Sequence, residues 1–163
     1  MPGKALVVID VQNDYFPGGL YPQWQAEAVL EAVLAAVARA RAAGEAVILV
    51  RHEGGAEAPF FRAGSDGAAL HPRLTAAAPE ALVVTKTRAD AFRGTGLAAA
   101  LERLGIGELL LCGMMTQNCV THTALSPEAA PYTVRVLKAG CTTVDALLNA
   151  IAFNALGDRV ELV

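Results

Sequence analysis

Three side chains in this sequence could together break a bond at a carbonyl: a thiol, a carboxylate and an ammonium. The thiol is Cys119, in the stretch Leu109-Leu110-Leu111-Cys112-Gly113-Met114-Met115-Thr116-Gln117-Asn118-Cys119-Val120. Three leucines followed by Cys and Gly read as a buried strand reaching a sharp break. The polar run Thr116-Gln117-Asn118 then opens a helix, with Cys119 in its first turn. A thiol there faces unpaired backbone N–H groups and the positive end of a helix dipole. Both favour thiolate, as a nucleophile requires. Taken alone the residue has a plainer reading, since free cysteines mostly just pack. The carboxylate is Asp10, which closes the apolar run Ala5-Leu6-Val7-Val8-Ile9. The ammonium is Lys86, which closes Ala81-Leu82-Val83-Val84-Thr85. Alone, Asp10 would be a turn residue and Lys86 a solvated charge. In open α/β sheets, however, ligands bind beyond the carboxyl ends of the strands. All three residues then fall at one edge, where one moves a proton, one supplies positive charge and one attacks.

Other residues are weaker candidates. His122 follows Cys119 by three positions and could touch it on a helix. Catalytic Cys–His pairs usually come from separate parts of a fold, so a dyad is disfavoured. His52 follows a strand and could reach the pocket, and Met114 precedes the break. Tyr15, Phe16, Phe61 and Phe92 are candidates for the pocket wall by position alone. Asp14 reads as a brace for the loop after Asp10. Gly94-Thr95-Gly96-Leu97-Ala98-Ala99 fits the dinucleotide pattern G-x-G-x-x-A. It does not turn directly out of a strand, and no acid follows at about twenty residues; Thr95 reads instead as a helix cap. His52, His71 and His122 lack the spacing of a zinc site.

The elements that must hold these residues alternate in type. Residues 4–10 read as strand and 24–43 as helix, with Ala26, Val29, Leu30, Val33, Val37 and Ala40 at helical spacing and Gly44 as the stop. Residues 46–51 form a continuous apolar run, as in a strand covered on both faces. Residues 53–80 show no period and are expected to carry a lid or a subunit contact. Strand 81–85, helix 97–104, strand 108–113, the cysteine helix, strand 132–138, helix 143–156 and a strand near 159–163 complete the set. Proline costs ~3 kcal/mol inside a helix, so Ser126-Pro127-Glu128 should end the cysteine helix near Leu125. Alternating βαβ units predict a three-layer α/β/α sandwich around a parallel sheet with right-handed crossovers. Residues 1–163 read as a single domain.

Three segments resemble the isochorismatase-like cysteine hydrolases. They are Val8-Ile9-Asp10-Val11-Gln12-Asn13-Asp14, Lys86-Thr87-Arg88-Ala89-Asp90-Ala91-Phe92-Arg93-Gly94-Thr95-Gly96-Leu97, and Cys112 through Ala124. Their order matches, and the resemblance spans most of the chain. It implies a six-stranded parallel sheet of order 3-2-1-4-5-6, a triad at Asp10, Lys86 and Cys119, an oxyanion hole from the Met115 and Cys119 amides, and a cis peptide at Met114–Met115. It implies a C–N hydrolase acting on a small amide, ureide or carbamoyl compound through a thioester. An enol-ether hydrolase, or a non-catalytic scaffold or regulatory subunit, is the alternative. Metal-binding relatives, the nicotinamidases, resemble Asp-x-His at the place occupied here by Val50-Arg51-His52. Without that aspartate, no metal and no other cofactor is expected. The sequence also departs from the family pattern at Lys138, where an Asp is common.

Composition narrows the partners. Hydrophobic residues make up 54% of the chain and mean hydropathy is +0.40, yet no apolar run is long enough to span a bilayer. Net charge −3 and pI about 5.6 argue against a nucleic-acid footprint. The N-terminal residues do not resemble a secretory signal, and three cysteines do not suggest a disulfide framework. Cys112 reads as inert packing. The expectation is a cytoplasmic homo-oligomer, dimer or tetramer, acting on a small molecule without nucleic-acid or membrane partners.

Overall fold

Every strand expected from the apolar runs forms, and all join one sheet. The computed structural model describes residues 1–163. Strands β1 (Gly3–Ile9), β2 (Ala46–His52), β3 (Leu82–Lys86), β4 (Ile106–Met114), β5 (Thr133–Thr142) and β6 (Glu161–Leu162) pair in the order β3-β2-β1-β4-β5-β6. All five pairings are parallel. Successive side chains of a strand point to opposite faces. Ala5 through Ile9 are nonetheless all buried, so both faces of β1 are covered, as the three-layer architecture requires.

The helices are α1 (Ala26–Ala42), α2 (Pro72–Ala77), α3 (Leu97–Arg103), α4 (Thr121–Ala124) and α5 (Ala146–Gly157). α1 buries one stripe, Ala26, Val29, Leu30, Val33, Ala36, Val37 and Ala40, and packs on β1, β2, β5 and α2. Gly44 takes a positive φ just past its end, where a glycine costs least. Thr95 lies beside the start of α3, and its hydroxyl accepts from the Leu97 N–H at 3.2 Å. α4 ends at Leu125, ahead of Pro127, as expected.

Two segments hold more structure than their sequence pattern showed, among it the short α2 within residues 53–80. Residues 53–80 are tied down on the loop after β1. Gln12 bridges Leu70, the Asn13 N–H donates to Ala69 O at 3.0 Å, and Asn13 Nδ2 donates to Asp66 O at 2.9 Å. Strand β5 runs on to Thr142, beyond the expected end at 138. Its register against β4 slips between the pairs Leu111–Val136 and Gly113–Cys141. Gly140 lies in that slip, where a Cβ would sit 2.9 Å from Cys112 Cβ. The extension brings Thr142 level with Met114 and closes the sheet edge beside the cysteine turn.

Candidate active site

The central strands β1 and β4 are neighbours, with Ile9 level with Gly113. Asp10 and the cysteine turn therefore leave the sheet side by side. Gly113 has φ 127, and any Cβ there would drive into the Ile9 carbonyl, so only glycine permits this approach of the two strand ends. Asp10 takes a left-handed φ of 54 and its N–H donates to Val50 O at 3.0 Å. Lys86 ends β3, level with His52 on β2. Strands lie about 4.8 Å apart, so the lysine reaches over β2 to the residues beyond β1 and β4. Asp10, Lys86 and Cys119 are 0%, 1% and 4% exposed.

Their geometry is specific. Lys86 Nζ lies 3.0 Å from Asp10 Oδ2. It donates to Cys119 Sγ at 3.2 Å and to Arg88 O at 2.9 Å, and it sits 3.1 Å from His52 Nδ1. The Asp10 contact is an ion pair outside hydrogen-bond geometry, and neither Asp10 oxygen has a hydrogen-bond donor. Burial pulls the Lys86 pKa down, but Asp10 and Cys119 outweigh it and hold the pKa above the ordinary lysine range. The ammonium therefore stays protonated.

Cys119 departs from expectation in its local structure and its charge. It sits in a wide, π-type turn over Thr116–Val120, with the Val120 N–H on Met115 O at 3.3 Å. The four-residue α4 continues that turn. So short a helix offers little dipole. Burial pushes the thiol pKa up, Asp10 adds to the rise, and Lys86 opposes both. The resting form is thus the thiol, where the helix-start argument favoured thiolate. The turn is pinned by Thr121 Oγ1 on Thr116 O and by Thr116 Oγ1 on Asn149 Oδ1 of α5, both at 2.6 Å. The Met114–Met115 peptide is cis, and the Met115 N–H, just past the end of β4, makes no hydrogen bond to backbone or side chain.

The candidate pocket residues separate into groups. The Tyr15 and Phe61 rings are 4.4 Å apart, and Phe61 lies 6.1 Å from His52. Burial, then the charges of Asp10 and Cys119, raise the Tyr15 phenol pKa, so this group borders the buried Asp10 and Cys119. Phe16 does not join it. It packs on His71 at 4.5 Å and lines a separate cavity of about 410 Å³ with Asn13 and Gly67. The cause is its extended backbone next to Tyr15, which sends adjacent side chains to opposite sides. Phe92 stacks on Tyr132 at 6.1 Å, and Met114 is wholly buried in β4. His122 is exposed and makes no hydrogen bond to Cys119.

Asp14 and Gln12 hold this framework. Asp14 accepts from the Leu20 and Phe61 N–H groups at 3.1 and 2.7 Å. Gln12 Oε1 accepts from the His52 N–H at 2.9 Å, while its Nε2 donates to His52 O and Ala68 O, both at 2.8 Å. The clamping role of Gln12 and the carbonyl of Arg88 escaped sequence reasoning. The only available signal was a glutamine placed two residues past a strand end. The donor set does not fit a metal. His52 Nδ1 is turned to an ammonium, residue 50 is a buried valine, and no three His, Cys, Asp or Glu side chains gather into a ligand set.

Comparison with known proteins agrees with the fold and its motifs. A sequence model of the isochorismatase domain matches residues 4–163. A streptothricin hydrolase from Streptomyces noursei is 34% identical over 98% of this chain, which spans 62% of that protein. A nicotinamidase/pyrazinamidase from Mycobacterium tuberculosis is 28% identical over 82% of this chain and 83% of its own length. A crystal structure from Oleispira antarctica, assigned to the isochorismatase hydrolases, superposes with a TM-score of 0.91 at 34% identity over 99% of this chain and 93% of that one. With the family match running almost end to end over a six-stranded sheet of order 3-2-1-4-5-6, the chain belongs to the isochorismatase family of hydrolases.

Proposed function

We propose that this protein is a cysteine hydrolase that cleaves a C–N bond of a small amide, ureide or carbamoyl compound. The observation that carries the reading is the buried Lys86 ammonium, in contact with both Asp10 and Cys119 while the Asp10 oxygens accept no hydrogen bond. Asp10 takes the Cys119 proton, and the sulfur attacks the carbonyl carbon. The amides of Met115 and Cys119 stabilise the oxyanion, a role the unengaged Met115 N–H supports. Asp10 passes its proton to the leaving nitrogen, giving a thioester and a free amine. Water then attacks the thioester, Asp10 accepts its proton, and the acid product leaves as the thiol re-forms. Lys86 stays charged throughout. Similarity to a streptothricin hydrolase and to a nicotinamidase/pyrazinamidase supports hydrolysis of this class.

We place the enzyme in the cytoplasm, in keeping with its three free cysteines, and we take it to work as a homo-oligomer through α5. That helix has no charged residue, whereas a surface helix normally carries charge on its outer face. Leu147 and Ile151, one turn apart, stand exposed. Lys138 and Asp158 line the adjacent cavity, opposite charges that a twofold-related copy would pair.

Screening of amides, ureides and carbamoyl compounds tests the catalytic reading, with Cys119→Ala run in parallel. Release of amine or ammonia by the parent, lowered by at least about 10³-fold in Cys119→Ala, is the expected result. A substrate hydrolysed equally by both would refute the nucleophile.

A further inference from the structure

His52 has a place in the site that the reaction scheme does not use. Three atoms around Lys86 Nζ lie in hydrogen-bond geometry: Arg88 O at 2.9 Å, His52 Nδ1 at 3.1 Å and Cys119 Sγ at 3.2 Å. The fourth, Asp10 Oδ2, is as near at 3.0 Å but outside that geometry. An ammonium has three hydrogens, and these three acceptors match that number without Asp10. We propose that His52 is a positioning residue that acts through Lys86: by accepting the third ammonium hydrogen at Nδ1, it keeps Asp10 in charge contact with the lysine yet free of hydrogen bonds, and so able to take the Cys119 proton.

This inference rests on the cysteine-hydrolase reading for its purpose, but its geometry stands apart from any substrate. Hydrogen bonds to a carboxylate favour its charged form and weaken it as a base. A lysine that turned its hydrogen to Asp10 would therefore make a poorer proton acceptor of it. His52 can accept at Nδ1 only as a neutral imidazole carrying its proton on Nε2. Its surroundings favour that form: burial, then the Lys86 charge, lower its pKa and outweigh the opposing pull of Asp10 and of the nearby Arg88 carbonyl. The imidazole is also held in place. Gln12, itself wholly buried, clamps the His52 N–H and C=O with its two side-chain ends, and the sheet register sets His52 level with Lys86. The groups around Asp10 are Lys86 from β3, Cys119 from the π-type turn, His52 from β2 and Tyr15 from the segment after β1. Lys86, Cys119 and Tyr15 are all pushed upward, which leaves His52, pushed downward, as the partner of Asp10 whose charge could change on the acid side of neutrality.

Two variants and one spectrum test it. His52→Asn keeps an acceptor near the Nδ1 position and cannot titrate, whereas His52→Leu removes the acceptor. The first readout needs no substrate: the rate of Cys119 alkylation by iodoacetamide from pH 5 to 9, followed by peptide mass. In His52→Leu the freed hydrogen turns to Asp10, and alkylation at pH 7 slows on the order of tenfold. His52→Asn stays within about threefold of the parent and loses the decline that protonation of His52 causes at acid pH. On a substrate, kcat of His52→Leu falls with KM held within about twofold, and His52→Asn restores it. In the parent, ¹⁵N spectra of the imidazole show a neutral Nε2–H tautomer at pH 7, a measurement that does not depend on either variant folding. His52→Leu alkylating at the parental rate across the range, His52→Asn as slow as His52→Leu, or a proton on Nδ1 at pH 7 would overturn the proposal. The expected alkylation pattern without turnover of any C–N substrate would uphold His52 and count against the hydrolase reading alone. Cys119-dependent turnover unaffected by His52→Leu would do the reverse.

Discussion

Lys86 carries its charge in a place where a lone lysine would shed it. Burial alone favours the neutral amine, and Asp10 and Cys119 reverse the balance. Its charge works in turn on Cys119, whose thiol is pushed up first by burial and then by Asp10, with Lys86 opposing. The sign for a lysine variant follows. In Lys86→Met the opposing cation is gone, so the Cys119 pKa rises further, less thiolate exists at any given pH, and alkylation by iodoacetamide at neutral pH slows by more than about tenfold. The variant also leaves Asp10 buried without its ion-pair partner. Breaking such a pair costs about 3–5 kcal/mol, which urea unfolding will show as a lower midpoint. Alkylation at the parental rate by a folded Lys86→Met protein would separate the lysine from the chemistry of the thiol.

At the scale of elements, the strand ends were the readable part. The apolar runs stop at Asp10 and after Thr85, and the chain breaks at Gly113, so the edge of the sheet where Asp10, Lys86 and Cys119 meet could be named from residue types alone. Pairing of those strands sets the rest, and one strand shift in order would have separated Asp10 from Cys119. What could not be read depends on contacts between distant segments. Nothing local to Lys86 tells that its side chain crosses β2, or that Arg88 O and His52 Nδ1 take its hydrogens. Thr116-Gln117-Asn118 announces a helix start but not a π-type turn, which the backbone N–H groups of Val120 on Met115 O and of Thr121 on Thr116 O define. The apolar pattern of β5 fades at Lys138, so its continuation to Thr142 was hidden behind a register slip. Phe16 was misplaced because position along the chain does not tell which side of the loop a ring takes. The segment 53–80 shows no period because its one α-helix, α2, is only six residues long and the rest is held through polar contacts with Gln12, Asn13 and Asp14.

The whole molecule has a closed sheet edge around Asp10, Lys86 and Cys119 and an open apolar flank on α5. Asp10, Lys86 and Cys119 are buried. Leu147 and Ile151 stand exposed on α5, the face that the proposed second copy would cover. Light scattering after size exclusion should give a multiple of the 16.9 kDa chain mass. A glutamate at either position would shift it towards the monomer, because a buried charge without a partner opposes association. A parent that stays monomeric at high micromolar concentration would remove α5 from the account.

The central claim, that Cys119 attacks a carbonyl carbon and holds it as a thioester, is tested most directly by intact-mass analysis of enzyme quenched in acid during turnover of a substrate found in the screen. The account predicts an adduct equal to the acyl part of that substrate, confined to the peptide bearing Cys119, absent from Cys119→Ala and lost on hydroxylamine treatment. Full turnover by Cys119→Ala, or an adduct on Cys112, Cys141 or any other residue, would contradict it.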